Sequence, residues 1–137
     1  MNHIDFDQAS VLFTDVDDTL TTAGRLLPET YQAICNLAAA GVDIIPVTGG
    51  CAGWCDQIIR TWPVKSVIGE GGAFYVEHTA QRAIRWHYWQ TPAQHQLDQI
   101  RILEAVRQLD LGFYPILARD QSFRLVDVAI DYHQDQR

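Results

Sequence analysis

Asp15 and Asp17 sit in the run Asp15-Val16-Asp17-Asp18-Thr19, directly after the apolar stretch Val11-Leu12-Phe13. Folding asks for no such pair at the end of a buried strand. Residues two apart on a strand project to the same side, so the two carboxylates would leave the strand end together. Like charges that close need a cation or a proton between them. The chemistry this suggests is a divalent-metal site in which one carboxylate is a nucleophile and the other an acid/base. A solvated acidic turn is the alternative reading of the motif alone. A calcium loop is excluded, because Leu20 and Leu26 stand where such a loop, counted from Asp15, needs Gly and Glu.

A second candidate is Thr48-Gly49-Gly50, which follows the apolar run Val42 to Val47. A hydroxyl beside the free N–H groups of a Gly-rich turn at a helix start can cradle a phosphate oxygen. A plain Gly-Gly turn is the bland alternative. Cys51 and Cys55, spaced to share a helix face, have no second Cys/His pair at structural-zinc spacing and read as helix packing.

The elements that must position these residues can be read from periodicity and punctuation. A strand over about residues 9–14 delivers the acidic motif, and a loop through Gly24 leads to a helix that starts at Pro28. Tyr31, Ile34, Leu37 and Ala38 recur at helical spacing before Gly41 ends it. Val42 to Val47 is the second strand, in which Pro46 costs one ladder hydrogen bond. A helix to about Thr61 and a third strand, Ser66 to Gly69, follow. Strand, helix and strand in this order imply right-handed parallel crossovers, and ligands of such sheets bind off the carboxyl ends of the strands. That rule brings Asp15, Asp17 and Thr48 to one edge. Farther on, Phe74 to Val76 and Ile84 to Trp89 read as a hairpin. A helix opens at Thr91-Pro92 and carries the stripe Leu97, Ile100, Leu103, Val106 and Leu109 to near Gly112, and Phe123 to Ile130 reads as a last strand. Trp54, Trp62, Trp86 and Trp89 read as core or interface residues.

The 137 residues suit one domain, and a hydrophobic content of 47% suffices for a core. A formal charge of −7, with no run of Lys or Arg, argues against nucleic acid and anionic membranes as partners. Met1 to Asp5 lacks the regions of a signal peptide, no stretch is long enough to span a bilayer, and the three cysteines do not suggest a disulfide framework. These features lead us to expect a cytoplasmic location.

With these residues in view, the chain resembles the haloacid dehalogenase-like (HAD) phosphohydrolases. Asp15-x-Asp17-x-Thr19 after a strand matches their first motif, and Thr48-Gly49 after the next strand matches their second. Val67 to Ala73 is similar to the segment that leads into an α/β cap in relatives acting on sugar phosphates, which include phosphatases and phosphosugar mutases. The resemblance covers roughly the first 90 residues. It implies a Rossmann-like parallel sheet, an incomplete HAD-like core over residues 1–90 including the hairpin, and the beginning of an α/β cap, helix plus strand, over 91–137.

By the same resemblance, Asp15 is the nucleophile that becomes an aspartyl-phosphate, and Asp17 is the acid/base. Thr48 and Gly49 bind phosphate, and Asp15 with the Asp17 backbone carbonyl holds Mg²⁺. Glu70 is a substrate contact. The partner implied is a small phosphorylated metabolite, a sugar phosphate first of all.

The departures are specific. Gly50 stands where the second motif commonly continues with Arg. The family's later Lys and second acidic motif have no clear counterpart. Lys65 precedes the third strand, and Asp131-x-x-x-Asp135 follows the last one without the usual Gly. An exposed lysine and a solvated cap terminus are the readings favoured for these two, on which view the chain stops inside the cap. A catalytically incompetent piece or a phosphate-binding module is therefore the alternative to a phosphatase. An uncovered sheet edge makes self-association a further expectation.

Overall fold

The computed structural model describes residues 9–109 and 116–131. Five strands form one sheet in the order β1 (Val11–Asp15), β4 (Asp43–Val47), β5 (Ser66–Gly69), β6 (Phe74–His78) and β7 (Ile84–Tyr88). The first three run parallel, and β6 and β7 form an antiparallel hairpin on the β5 side. This is the α/β, Rossmann-like class expected from the sequence.

The crossovers are α1 (Pro28–Ala39), with Pro28 in its first turn, and α2 (Ala52–Thr61). Ile34 of α1 and Cys55, Ile58 and Ile59 of α2 are buried against Ile44, Val67, Phe74 and Val76 of the sheet. Ile and Cys side chains on the helices thus meet Ile, Val and Phe on the strands, and this burial of apolar surface holds the sheet to its helices. Gly69 at the end of β5 is a packing requirement. A Cβ built there would lie 2.4 Å from Cζ of Phe74 and 2.6 Å from Sγ of Cys55.

Register fixes the working edge. Asp15 lies opposite Val47, and Val47 lies opposite Ile68, so the carboxyl ends of β1, β4 and β5 finish level. Pro46, in the middle of β4, is paired in register with Thr14 and buried.

Three features differ from the sequence reading. The loop through Gly24 is a small hairpin, β2 (Thr21–Thr22) and β3 (Arg25–Leu26), whose turn residues Ala23 and Gly24 both have positive φ. That is the backbone of a tight two-residue turn whose twist matches its strands. α3 (Pro92–Gln108) begins as expected, with the Thr91 hydroxyl accepting from the Gln94 N–H, yet Leu97 and Ile100 of its stripe are exposed. The expected end near Gly112 lies outside the described residues.

The last strand, Phe123 to Ile130, is not formed. Its place is taken by a single turn of 3-10 helix (Gln121–Phe123) and an irregular segment, with one isolated bridge between Leu117 and Ile130. The reason is competition for the backbone. The N–H groups of Leu125, Val126 and Asp127 donate to the Glu70 carboxylate, and the carbonyls of Arg124 and Asp127 accept from the Gln99 side chain. These groups are then not free for a ladder. The helix-plus-strand cap expected over 91–137 is, among the described residues, a helix and this irregular segment.

Among the tryptophans, Trp62 and Trp86 pack on the core, whereas Trp54 is largely exposed and Trp89 is 84% exposed. No described helix is long and apolar enough to cross a membrane.

Candidate active site

A cleft of about 490 Å³ opens at the carboxyl ends of β1 and β4. Asp17, Thr48, Gly49 and Gly50 line it from the core, Trp54 from α2, and Asp120 and Arg124 from the irregular segment.

β1 ends at Asp15, so the chain turns before Asp17 and the two-residue strand period does not relate the carboxylates. The turn closes on one carbonyl. Val16 C=O accepts the N–H groups of Leu20 and Thr21, each at 3.0 Å, while its side chain is buried. Asp18 takes a positive φ of 56°, a conformation Asp tolerates better than most residues. The Thr19 hydroxyl is 3.4 Å from Oδ2 of Asp15, and the Thr48 hydroxyl is 3.5 Å from Oδ2 of Asp17. Both carboxylate-bearing residues are exposed.

Thr48 is buried, and its Oγ1 accepts the Gly50 N–H at 2.9 Å. The three carbonyls of this turn are pinned by groups outside the turn. Thr48 C=O accepts from the Gly71 N–H, Gly49 C=O from Nη1 of Arg124, and Gly50 C=O from the Glu70 N–H. Among the described residues the Gly49 N–H meets no acceptor, which leaves a backbone donor beside the Thr48 hydroxyl at the cleft wall.

Glu70, expected at the substrate, has another employment. It is 4% exposed, and its two oxygens accept four backbone N–H groups, those of Ala52 at the start of α2 and of Leu125, Val126 and Asp127. A carboxylate at a helix start also meets the positive end of the helix dipole.

Lys65 precedes β5, at the end of the sheet opposite the cleft, where its backbone N–H bonds to Ile44. Asp131 bonds through its N–H to the Ile116 carbonyl beside the isolated bridge and does not line the cleft, and Asp135 lies outside the described residues. Cys51 and Cys55 are buried free thiols. Burial pushes the Cys55 thiol up to about 12, which suits a core residue and not a metal-binding thiolate.

Sequence reasoning missed Asp120, Arg124 and Asp127. Nε and Nη2 of Arg124 pair with the two oxygens of Asp120, at 3.3 and 3.0 Å, and Nη1 lies 2.9 Å from both oxygens of Asp127. Burial opposes the charge on Arg124, but its hydrogen bonds to Asp127 and Asp120 outweigh that and raise its pKa. Burial raises the pKa of Asp127, with the Arg124 guanidinium pulling the other way. The signal was the spacing Asp120-x-x-x-Arg124-x-x-Asp127, which puts both acids within reach of the base in a compact turn but on opposite faces in a strand.

Oxygen donors of this kind suit a hard cation, since Mg²⁺ is commonly held by one or two carboxylates together with substrate phosphate and water. Asp15 and Asp17 are the carboxylates that the sequence reading assigns to such a cation. No cluster of three or more His, Cys, Asp or Glu able to hold a metal occurs among the described residues.

The open α/β sheet, with an acidic turn after its first strand and a Thr-Gly turn after the next, has the fold of solved HAD-type structures. Among solved structures, the chain is similar to a phosphatase of the haloalkanoate (HAD) enzyme superfamily from Bacteroides thetaiotaomicron. The identity is 23% and the TM-score 0.52, over 72% of this chain and 36% of that one. It is also similar to a haloacid dehalogenase-like hydrolase from B. subtilis, at 21% identity and a TM-score of 0.51, over 70% of this chain and 33% of that one. The chain thus spans about a third of the length of these structures. No family model matches the sequence. No curated protein matches it either.

Proposed function

We propose that this chain carries the nucleophile side of a HAD-type phosphohydrolase acting on a small phosphorylated metabolite, with sugar phosphates the first class to try. The observation that carries the reading is the approach of the Thr48 hydroxyl to Asp17 Oδ2, 3.5 Å, across the ends of two neighbouring strands. On this reading a hydroxyl that donates to phosphate and an acid/base share one cleft.

In this reading an Asp15 oxygen attacks phosphorus, and the ester P–O bond breaks as Asp17 gives its proton to the leaving oxygen. Asp17 then takes a proton from water, whose oxygen attacks the same phosphorus and releases inorganic phosphate and the Asp15 carboxylate. The Thr48 hydroxyl and the Gly49 N–H hold the non-bridging oxygens throughout. Thr19, close to Asp15 Oδ2, turns the nucleophile. Mg²⁺ is the cofactor of this reading; held by Asp15 and Asp17, it would offset repulsion between the anionic nucleophile and phosphate. A mutase returning the phosphoryl group to a second sugar hydroxyl is the near variant. Three free cysteines support a cytoplasmic place.

One observation favours a second reading, a chain without turnover of its own in which the Thr48-Gly49 turn is the phosphate contact that remains. The cation lining the cleft is Arg124, and each of its three nitrogens is already engaged.

Hydrolysis of p-nitrophenyl phosphate separates the two. The phosphatase reading expects turnover that needs Mg²⁺ and falls by at least about a thousandfold in Asp15→Asn, as loss of a covalent nucleophile should. Folded, pure chain that binds inorganic phosphate with no turnover establishes the second reading instead.

A further inference from the structure

Arg124 touches the turn that reads as a phosphate cradle, yet it is poorly placed to bind phosphate itself. Its side chain is 9% exposed and carries Asp120 on one side and Asp127 on the other. Two carboxylates on one guanidinium leave the cluster net negative, which repels an anion. What Arg124 does reach is the Gly49 carbonyl, 3.0 Å from Nη1.

That carbonyl belongs to the peptide whose N–H is Gly50, and the Gly50 N–H donates to Thr48 Oγ1 at 2.9 Å. A peptide unit is rigid and planar, with its C=O and N–H pointing in opposite directions. Holding the oxygen therefore aims the hydrogen. With the Gly50 N–H on one lone pair of Oγ1, the Thr48 hydroxyl proton must point elsewhere, and Asp17 Oδ2 is 3.5 Å away. Gly50 has no side chain to disturb this arrangement; a Cβ there would lie 3.1 Å from Thr48 Oγ1.

We propose that Arg124 is a positioning residue: clamped between Asp120 and Asp127, it fixes the Gly49–Gly50 peptide so that the Thr48 hydroxyl donates toward Asp17 and any phosphate oxygen there. The irregular segment is in this way a working part of the cradle. Glu70 is its anchor, since it gathers the N–H groups of Leu125, Val126 and Asp127. Gly53 on α2 lets the segment approach, and a Cβ there would lie 3.2 Å from Cβ of Phe123. This inference rests on the phosphate-cradle reading of Thr48 and Gly49, but its first test reads the turn and needs no turnover.

The test is amide hydrogen exchange by NMR on the full chain, comparing wild type with Arg124→Met and Arg124→Lys. Loss of the clamp is expected to speed Gly50 exchange about tenfold, the worth of one good hydrogen bond, relative to the core amides of Val67 and Val76. Lysine should fare little better, because one ammonium cannot span both carboxylates and the Gly49 carbonyl. Thr48→Val, which removes the acceptor, should give the same Gly50 exchange without touching the segment. Unchanged Gly50 exchange in either folded Arg124 variant overturns the proposal, and so does acceleration shared equally by Val67 and Val76, which would mark Arg124 as a general stabiliser. Inorganic phosphate titrated into the same samples should shift the Gly49 amide in wild type and bind about tenfold more weakly in Arg124→Met. A wild type that ignores phosphate defeats the cradle reading, while Gly50 exchange still decides the role of Arg124.

Discussion

Glu70 shows how far a single residue's employment can lie from its sequence context. Next to a Gly-Gly turn at the end of a strand, an acid invites a role at the substrate. Its oxygens are instead the common acceptor for the start of α2 and for three N–H groups some 55 to 57 positions away. No local pattern announces such partners. The placement of Asp15 and Thr48 at one sheet edge was legible because it follows from strand ends alone, a rule of the sheet and not of distant neighbours. The same-side pairing of Asp15 with Asp17 was not, since β1 stops at Asp15. The strength of the Glu70 hub can be measured. In Glu70→Gln one oxygen remains for the donors, while the new amide N–H₂ faces backbone N–H groups and leaves at least two of them unpaired in a buried place. The expected loss of stability is about 3 kcal/mol by urea denaturation. A loss below about 0.5 kcal/mol would mean that water takes over the orphaned N–H groups, and the hub would then hold little together.

At the level of elements, periodicity found α1, α2 and the inner strands, because each buries a face whose spacing is written in the chain. It found α3 and β1 as well, although Leu97, Ile100 and Phe13 of their apolar patterns are exposed. It failed where side chains outbid the backbone. Phe123 to Ile130 has the alternation of a strand, but Glu70 and Gln99 take the hydrogen-bonding groups a ladder would need. The β2–β3 hairpin was missed for a different reason, since two residues a side are too few to show a period, and Ala23-Gly24 is not the Asn-Gly pair that usually marks such a turn. A prediction at this scale concerns the meeting of β5, β6 and α2 at Gly69. An added methyl would fall 2.4 Å from the Phe74 ring and 2.6 Å from the Cys55 sulfur, both fully buried. Neither can yield cheaply, because Phe74 also packs on Trp86 with ring centroids 5.1 Å apart. Gly69→Ala should cost about 3 kcal/mol in a denaturant titration, and a cost under about 1 kcal/mol would show that the interface is loose.

For the whole molecule, what matters is the surface that the described elements leave open. β1 forms the outer edge of the sheet, paired to β4 alone among the described residues, and Val11, Leu12 and Phe13 along it are exposed, Phe13 by 62%. Such an edge offers unpaired N–H and C=O groups together with apolar side chains, and a second copy of the same strand is a partner always present in solution. Charge decides when the two copies meet. At pH 7 the chain carries a formal −7 and repels itself, but its pI is about 5.0, so the repulsion fades as the pH falls toward that value. Sedimentation velocity should therefore show a rising weight-average mass between pH 7 and pH 5, most steeply at low salt, where the repulsion is least screened. Phe13→Thr leaves the net charge and the strand preference intact while removing the apolar contact, so it separates the edge from a general loss of solubility. Association that weakens in Phe13→Thr places the contact at β1. A monomer at every pH, or a Phe13→Thr variant that associates like the wild type, would mean that this edge is not where copies of the chain meet.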